Sequence, residues 1–374
     1  MSMQKAAYGF LKKSFLFVLI LAIAIPLRYG STNLQHLTTR CLHSILVIKH
    51  SFLTDNTRPT LSAEYRAFEN LIRLIPVAKI NSSADPIGVL KELRANFAFD
   101  VIVPTPSECQ IDREIFQHDG QSVTTFWVQN HEYKLQRNSD KILMYIHGGG
   151  FVAGDIHKYG GIVCHLSRTF NITVLFVEYR LSPEHQYPAG VEDTVAAYRA
   201  LLHENISPSQ LIVMGDSAGG GLTLLTIQAL FNRQIPVPRG VIVLSPWADF
   251  STSGESYTRN RQTDVIADFD NFKWIISHLL GNDHSSDSYI NPIFSPLFGS
   301  FQGFPSMFIN MGTAELLEDD SRQVAKKARD AGVNVTIEAG LHLMHDYPLF
   351  YSYFPEAQNT LNNINKWIQT ISTK

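Results

Sequence analysis

Apolar runs separated by amphipathic stretches dominate the chain from about residue 141 onward. Ile172–Val177 and Gly240–Leu244 are almost entirely apolar, which is typical of parallel strands that helices cover on both faces. Val191–Leu202 and Leu222–Phe231 carry apolar residues at helical spacing. This alternation predicts an α/β fold with a mostly parallel central sheet flanked by helices.

Three parts of the chain depart from this alternation. A more polar pair of segments, residues 114–118 and 123–130, predicts an antiparallel edge of the sheet. Residues 268–280 have a helical apolar pattern that is not flanked by strands, and so does much of the chain before residue 110. We therefore expect a helical N-terminal cap region over residues 31–110 and a main domain over residues 111–374, with a cap insertion around residues 250–297.

The strand pattern Leu211–Gly215 leads directly into Gly-Asp-Ser-Ala-Gly-Gly at residues 215–220. A Gly-x-Ser-x-Gly sequence between a strand and a helix is the signature of a nucleophile elbow, a sharp turn that exposes a serine. The flanking glycines let neighbouring backbone approach that turn without a Cβ clash. Ser217 is therefore the candidate nucleophile.

A second glycine-rich loop lies 70 residues before that serine (217 − 147). The strand pattern Lys141–Ile146 ends at His-Gly-Gly-Gly-Phe, residues 147–151, which matches the oxyanion loop of lipases and esterases. A phosphate-binding loop is the alternative, but no Gly-Lys-Ser/Thr follows. Backbone N–H groups preset in this way stabilise the negative oxygen of an acyl-transfer transition state. We expect Gly148, Gly149 and Ala218 to supply them.

A serine nucleophile needs a histidine base and a carboxylate that orients the histidine. In α/β proteins that carry a nucleophile elbow, the three residues occur along the chain in the order serine, acid, histidine. Glu315 follows the end of the apolar strand at residues 306–311. Asp319 is the alternative acid, although Asp319 and Asp320 both suit the first turn of the next helix as caps. Two histidines, His342 and His345, follow the last strand, and chain order makes each a candidate base.

These motifs resemble the hormone-sensitive lipase branch of the α/β-hydrolases, known as the GDXG family. The His-Gly-Gly-Gly and Gly-Asp-Ser-Ala-Gly-Gly motifs are its hallmarks, and further segments are similar to the family in the same order: Tyr179–Ala189, Leu244–Asp249 and Ser295–Leu297. The resemblance covers about residues 110 to 370. It implies an α/β-hydrolase fold with a helical cap.

The resemblance also implies the roles of the site residues. Ser217, Glu315 and His345 take the positions of the catalytic triad, and Gly148, Gly149 and Ala218 those of the oxyanion hole. Many relatives carry aspartate where this chain has Glu315, while a subgroup similar to Gly-Thr-Ala-Glu uses glutamate. Glutamate is chemically adequate for orienting an imidazole.

Residues 1–30 predict a membrane anchor or a signal segment. Ser14–Leu27 is an almost unbroken apolar run preceded by lysines, which favours a cytosolic N-terminus and a body on the far side of the membrane. We expect a retained single-pass anchor with the catalytic domain in the lumen of the endoplasmic reticulum; cleavage and secretion is the alternative. His36–Leu53 adds a candidate second membrane contact.

Composition narrows the function classes. The net charge of −3, from 31 basic and 34 acidic residues, gives no basic footprint for nucleic acid. Three cysteines, Cys41, Cys109 and Cys164, are not paired by spacing and indicate neither a disulfide framework nor a metal site. A serine triad needs no metal ion or organic cofactor.

Together these observations predict a serine hydrolase that cleaves carboxylic esters through an acyl-enzyme. By resemblance to arylacetamide deacetylases, we expect short to medium acyl chains on apolar alcohols or amides, with steryl acetates as an alternative substrate. A small-molecule receptor and an interaction protein on the same fold are the competing functions. The intact His345 argues against the receptor, because plant gibberellin receptors, which are similar to this family, lack that histidine.

Overall fold

The computed structural model describes residues 31–53, 55–74, 85–118, 120–130, 141–279 and 286–372. Among these residues, eight strands form one sheet in the order β1-β2-β4-β3-β5-β6-β7-β8. The pairs β1/β2 and β2/β4 are antiparallel, and all other neighbours are parallel. The strands are β1 Cys109–His118, β2 Gln121–Asn130, β3 Ile142–Ile146, β4 Thr173–Glu178, β5 Leu211–Asp216, β6 Gly240–Leu244, β7 Ser306–Gly312 and β8 Val335–Gly340.

Helices lie before the first strand in the chain, connect the parallel strands and follow the last strand. Four of the described helices lie before β1: α1 Thr32–Ser51, α2 Ala63–Leu74, α3 Pro86–Asn96 and α4 Phe99–Ile102. The others are α5 Ile156–Phe170, α6 Ala189–His203, α7 Ser217–Asn232, α8 Ser256–Arg259, α9 Phe269–Leu279, α10 Ser286–Tyr289, α11 Glu318–Asp330 and α12 Pro355–Ser372.

Strand β3 shows that the sheet is buried on both faces. All five of its residues are buried, and successive side chains point to opposite faces of a strand. Ile142, Met144 and Ile146 belong to one apolar core, whereas Leu143 and Tyr145 belong to the core on the other face. The continuous apolar pattern therefore correctly predicted a buried, mostly parallel sheet, and the α/β-hydrolase architecture is confirmed.

A third apolar cluster joins the N-terminal helices to the C-terminal end of the chain. Tyr65 and Phe68 of α2 are fully buried and pack with Met344, Tyr347 and Phe354. The Phe68 ring lies 5.4 Å from that of Phe354. Helix α2 thus lies against the segment that follows β8, the segment in which the candidate base occurs.

The cysteine prediction is wrong in one respect. Cys109, the first residue of β1, and Cys164 of α5 form a disulfide, with Cα atoms 6.0 Å apart. Their separation of 55 residues gave no sequence signal, because only the pairing of β1 with the sheet brings the edge strand next to α5. Cys41 is free and exposed.

The prediction of a single-pass location in the membrane of the endoplasmic reticulum is also wrong. Within the described ranges, no helix is sufficiently long and apolar to cross a bilayer, and α1, which covers most of the candidate second contact, is no exception. The candidate anchor itself, at residues 1–30, lies outside the described residues.

Candidate active site

Ser217 lies at the sharp turn between β5 and α7. Its backbone φ is +51°, in the left-handed region that non-glycine residues enter only at a cost of roughly 1–3 kcal/mol. A Cβ on Gly219 would come within 2.2 Å of the carbonyl oxygen of Ile146, so only glycine permits this crossing of backbones. The turn leaves the serine 9% exposed, above the strand end and at the first turn of the helix.

The imidazole of His345 faces that serine. Its Nε2 atom lies 3.0 Å from Ser217 Oγ, within hydrogen-bond distance. Its Nδ1 atom lies 3.7 Å from Glu315 Oε2, beyond a hydrogen bond but close enough for a charge interaction. The structure therefore brings the three residues singled out from the sequence to one place, although 128 residues separate the serine from the histidine.

Glu315 is held by two donors and is completely buried. Its Oε2 atom accepts a 2.7 Å hydrogen bond from the Ser245 hydroxyl and a 3.1 Å bond from the Gly312 amide. The side chain of Asn260 donates to the Glu315 carbonyl oxygen at 2.8 Å, which fixes the backbone of the same residue. Burial raises the pKa of Glu315 from 4.5 to about 7, although the neighbouring imidazole lowers it.

The carboxylates of Asp319, the alternative acid, and of its neighbour Asp320 accept hydrogen bonds away from the imidazole. Asp319 accepts a hydrogen bond of 2.8 Å from the Ser256 amide, and Asp320 accepts bonds of 2.9 Å from the amides of Ala248 and Asp249. Both carboxylates thus hold the loop that follows β6. They do not cap the first turn of α11; there the Asp319 amide donates to the Ser256 hydroxyl at 3.1 Å.

His342, the alternative base, contributes its backbone to the loop that carries His345. Its amide donates to Thr313 Oγ1 at 2.8 Å, and its carbonyl oxygen accepts from the Tyr65 hydroxyl at 3.1 Å. These bonds connect the histidine loop to the turn after β7 and to helix α2.

The glycine-rich loop after β3 presents its amides differently from the sequence expectation. The Gly148 N–H donates to Asp216 Oδ1 at 3.1 Å, so it is engaged in holding the loop. Gly149 and Gly150 have φ of +104° and +65°, and their amides make no hydrogen bond to the described residues. Ala218, next to the serine in the first turn of α7, is among the positions whose N–H lacks an intrahelical partner.

Asp216 was not singled out by the sequence analysis, although it stands inside the elbow motif. Its carboxylate is buried and accepts hydrogen bonds from the hydroxyls of Tyr145, at 2.6 Å, and Tyr159, at 2.8 Å. Burial, reinforced by the charge of Asp346, raises the pKa of Asp216 to about 7. Asp216 therefore connects the glycine-rich loop to the turn that bears Ser217.

Asp346 and Ser245 are two further polar residues that the sequence analysis missed. Asp346 Oδ2 lies 3.1 Å from His345 Nε2, and the Asp346 amide donates to Ser245 Oγ at 3.1 Å. Both residues are buried and have positive φ, +52° and +42°. Asp346 directly follows the histidine, a sequence signal that the resemblance left without a role.

Charge around the imidazole decides its proton affinity. Burial alone would lower the pKa of His345, but the carboxylates of Asp346 and Glu315 outweigh it and raise the pKa above 6.5. Burial raises the pKa of Asp346, and the same imidazole opposes that shift. The histidine thus lies between two carboxylates, one at each ring nitrogen.

Apolar side chains border the glycine-rich loop. A Cβ on Gly150 would come within 2.9 Å of the Ile275 side chain of α9. The Phe151 ring lies 5.9 Å from each of Trp247 and Phe250. Helix α9 and this aromatic group therefore give the surroundings of the loop an apolar lining.

Comparison with known proteins agrees with this geometry. Residues 143–349 match a family model described as the alpha/beta hydrolase fold. An acetyl-hydrolase from Streptomyces hygroscopicus is 32% identical over 63% of this chain and 77% of its own length. An esterase from Acinetobacter venetianus is 30% identical over 65% and 80%. A solved structure, an esterase from the bacterial hormone-sensitive lipase family, has a TM-score of 0.73 and 29% identity, over 83% of this chain and 99% of that one.

The sheet, the elbow and the matched residues define the class: the chain belongs to the α/β-hydrolase family. Within that family it belongs to the hormone-sensitive lipase branch, as the elbow and glycine-loop motifs predicted.

Proposed function

We propose that Ser217, His345 and Glu315 hydrolyse carboxylic esters through an acyl-serine. The Ser217 hydroxyl attacks the ester carbonyl carbon while its proton passes to His345 Nε2, which then protonates the departing alcohol oxygen. Water, deprotonated by the same nitrogen, attacks the acyl-serine and releases the acid. The observation that carries this proposal is the 3.0 Å approach of Nε2 to a serine on a strained turn.

The developing oxyanion needs preset donors. Gly149 and Gly150 offer amides without other partners among the described residues, and Ala218 adds the first turn of α7. Gly148, expected to donate, instead anchors the loop to Asp216 in this proposal. Each oxyanion donor typically contributes about 3 kcal/mol to the transition state.

That the chain is a carboxylic ester hydrolase rests on its family and on relatives named as esterases and acetyl-hydrolases. We extend this to short or medium acyl groups on apolar alcohols or amines. The apolar lining near Gly150 and the resemblance to arylacetamide deacetylases support that substrate class.

The helical segments over residues 31–110 and around 250–297 are proposed as the cap over this site. Two contacts support the assignment. Arg94 of α3 donates to the Val152 carbonyl oxygen at 2.7 Å, just after the glycine-rich loop, and Ile275 of α9 lies against Gly150. Both segments therefore reach the loop that would receive the substrate carbonyl.

A fluorophosphonate probe tests the nucleophile. We expect the purified protein to be labelled and Ser217→Ala to lose all labelling, while the control Ser251→Ala remains labelled. Absence of labelling of well-folded wild-type protein would instead favour the receptor alternative.

A panel of p-nitrophenyl esters of increasing acyl length, together with anilides and steryl acetates, tests the substrate class. We expect kcat/KM to be greatest for short or medium acyl groups on apolar leaving groups. Preference for long acyl chains or for polar alcohols would contradict the proposal.

A further inference from the structure

A second buried carboxylate lies against the imidazole, at the nitrogen that faces the nucleophile. Asp346 Oδ2 is 3.1 Å from His345 Nε2, and that nitrogen is 3.0 Å from Ser217 Oγ. Glu315, at the other nitrogen, is farther away at 3.7 Å. The mechanism above uses Glu315 alone, so the nearer carboxylate has no assigned role.

The backbone fixes this carboxylate in place. Asp346 has φ of +52°, a conformation that aspartate tolerates better than most residues, and its amide donates to Ser245 Oγ. The side chain is 4% exposed, and its Oδ1 atom has no hydrogen-bond partner in the described part of the chain. A buried carboxylate with one oxygen unpaired is costly, and the contact of its other oxygen with His345 Nε2 at 3.1 Å offsets part of that cost when the imidazole is charged.

Resting on the proposed function, we propose that Asp346 is a positioning residue for the base. Its carboxylate lies against Nε2 of His345 and stabilises the imidazolium that forms when Ser217 gives up its proton. The single Nε2 hydrogen of that imidazolium is shared with Asp346 until the alcohol oxygen of the ester accepts it. The negative charge thereby sets the pH at which the base becomes active.

The groups that face this pair come from several elements. Glu315 follows β7, Asp264 precedes α9 and interacts with the imidazole, and Asp216 ends β5 and interacts with Asp346. The hydroxyls of Tyr145 and Tyr159 complete the set. All are acidic or phenolic, so each charge that remains on them favours the protonated imidazole.

Asp346→Asn tests the proposal. Asparagine keeps the shape and tolerates positive φ, but it removes the charge. The base works when it is neutral, so kcat/KM rises with pH through the pKa of His345. Loss of a neighbouring carboxylate lowers that pKa. We expect the acid limb of the kcat/KM profile to move to lower pH, by about one pH unit or more.

Asp319→Asn is the matched control, because Asp319 contacts the Ser256 amide and not the imidazole. Its acid limb should stay where the wild-type limb lies. A fall in kcat/KM of Asp346→Asn with an unchanged acid limb would indicate a merely structural role and would overturn the proposal.

Asp346→Gly gives a second variant, since glycine relieves the positive φ if asparagine impairs folding. Nitrogen-15 NMR of His345 in a Ser217→Ala background, with and without Asp346→Asn, measures the same titration without turnover. An unchanged titration also overturns the proposal. Fluorophosphonate labelling of the wild type separates the two hypotheses: failure of labelling rejects the serine mechanism, whereas labelling with an unmoved acid limb rejects only the role of Asp346.

Discussion

The hydroxyl of Ser245 connects the two residues whose carboxylates flank the imidazole, through the side chain of Glu315 and the backbone of Asp346. It donates to Glu315 Oε2 at 2.7 Å and accepts the Asp346 amide at 3.1 Å. Since its own φ is +42°, the turn after β6 is shaped to point this hydroxyl between the acid and the histidine loop. One side chain thus determines the relative position of groups from two different loops.

Ser245→Ala removes both of those bonds. It leaves a buried carboxylate oxygen and a buried amide each short of a partner, at a cost of about 1–3 kcal/mol apiece. We expect kcat/KM to fall roughly tenfold or more for a p-nitrophenyl ester, because the acid loses its fixed position. Ser251→Ala, which loses only a bond to Asp249, is the control. Equal activity of the two variants would refute the bridging role.

The sequence analysis singled out the candidate residues whose proposed chemistry requires a particular residue type at a particular chain position. Ser217, Glu315 and His345 follow strand ends in the order that the fold demands, and the structure brings all three together. The sequence analysis missed Ser245 and Asp346 because their positions in the site depend on a positive φ at two turns, which no spacing rule specifies. The bond from the Gly148 amide to the Asp216 carboxylate was not foreseen, because Asp216 ends the neighbouring strand β5 and lies 68 residues away in the chain.

Helix α2 supports the histidine loop although 277 residues separate the contacting groups. The Tyr65 hydroxyl donates to the His342 carbonyl oxygen at 3.1 Å, and Phe68 packs beneath the same loop region with Phe350 at 4.9 Å. The helical pattern of this segment was visible in the sequence, but its partner was not. Apolar spacing indicates which face of a helix is buried and says nothing of what covers it.

Tyr65→Phe tests this support. The substitution removes one hydrogen bond, about 1 kcal/mol, and leaves the ring in place. We expect kcat/KM to fall about fivefold because the loop that carries His345 becomes less well positioned. Tyr198→Phe breaks a comparable bond, from its hydroxyl to the Pro236 carbonyl oxygen at 2.9 Å, between elements that do not carry the triad. The Tyr198→Phe variant should lose a similar free energy of unfolding while its kcat/KM stays unchanged. An equal loss of activity in both variants would contradict the prediction.

The interior of the molecule carries ionisable groups that oppose its stability at neutral pH. Burial raises the pKa of Glu315 from 4.5 to about 7 and that of Asp216 from 3.8 to about 7. A carboxyl group whose pKa is raised by folding contributes stability that is complete below its unfolded pKa and is lost as pH rises through the folded value. The folded state therefore becomes less stable between about pH 4.5 and 7 on account of Glu315.

Glu315→Gln should make the protein more stable and nearly inactive. We expect the free energy of unfolding in urea to exceed that of wild type by on the order of 1–3 kcal/mol at pH 8, with the gain vanishing near the unfolded pKa. Glu318→Gln is the contrasting variant, because Glu318 is also buried but is paired with Arg259 at 2.9 Å. Removing its charge should lower the free energy of unfolding at pH 8. A Glu315→Gln variant no more stable than wild type at pH 8 would contradict the burial argument.

The carboxylate of Asp216 has a consequence for how substrates of different size are accommodated. It joins the glycine-rich loop to the turn that bears Ser217, and the hydroxyls of two tyrosines donate to it from β3 and α5. We therefore expect the glycine-rich loop and the Ser217 turn to keep their relative position when the acyl group changes, because widening the gap between them would break the bond from the Gly148 amide to Asp216. Acetyl and butyryl adducts of the enzyme should therefore superpose at both loops, leaving the helices above to shift and make room for the longer chain.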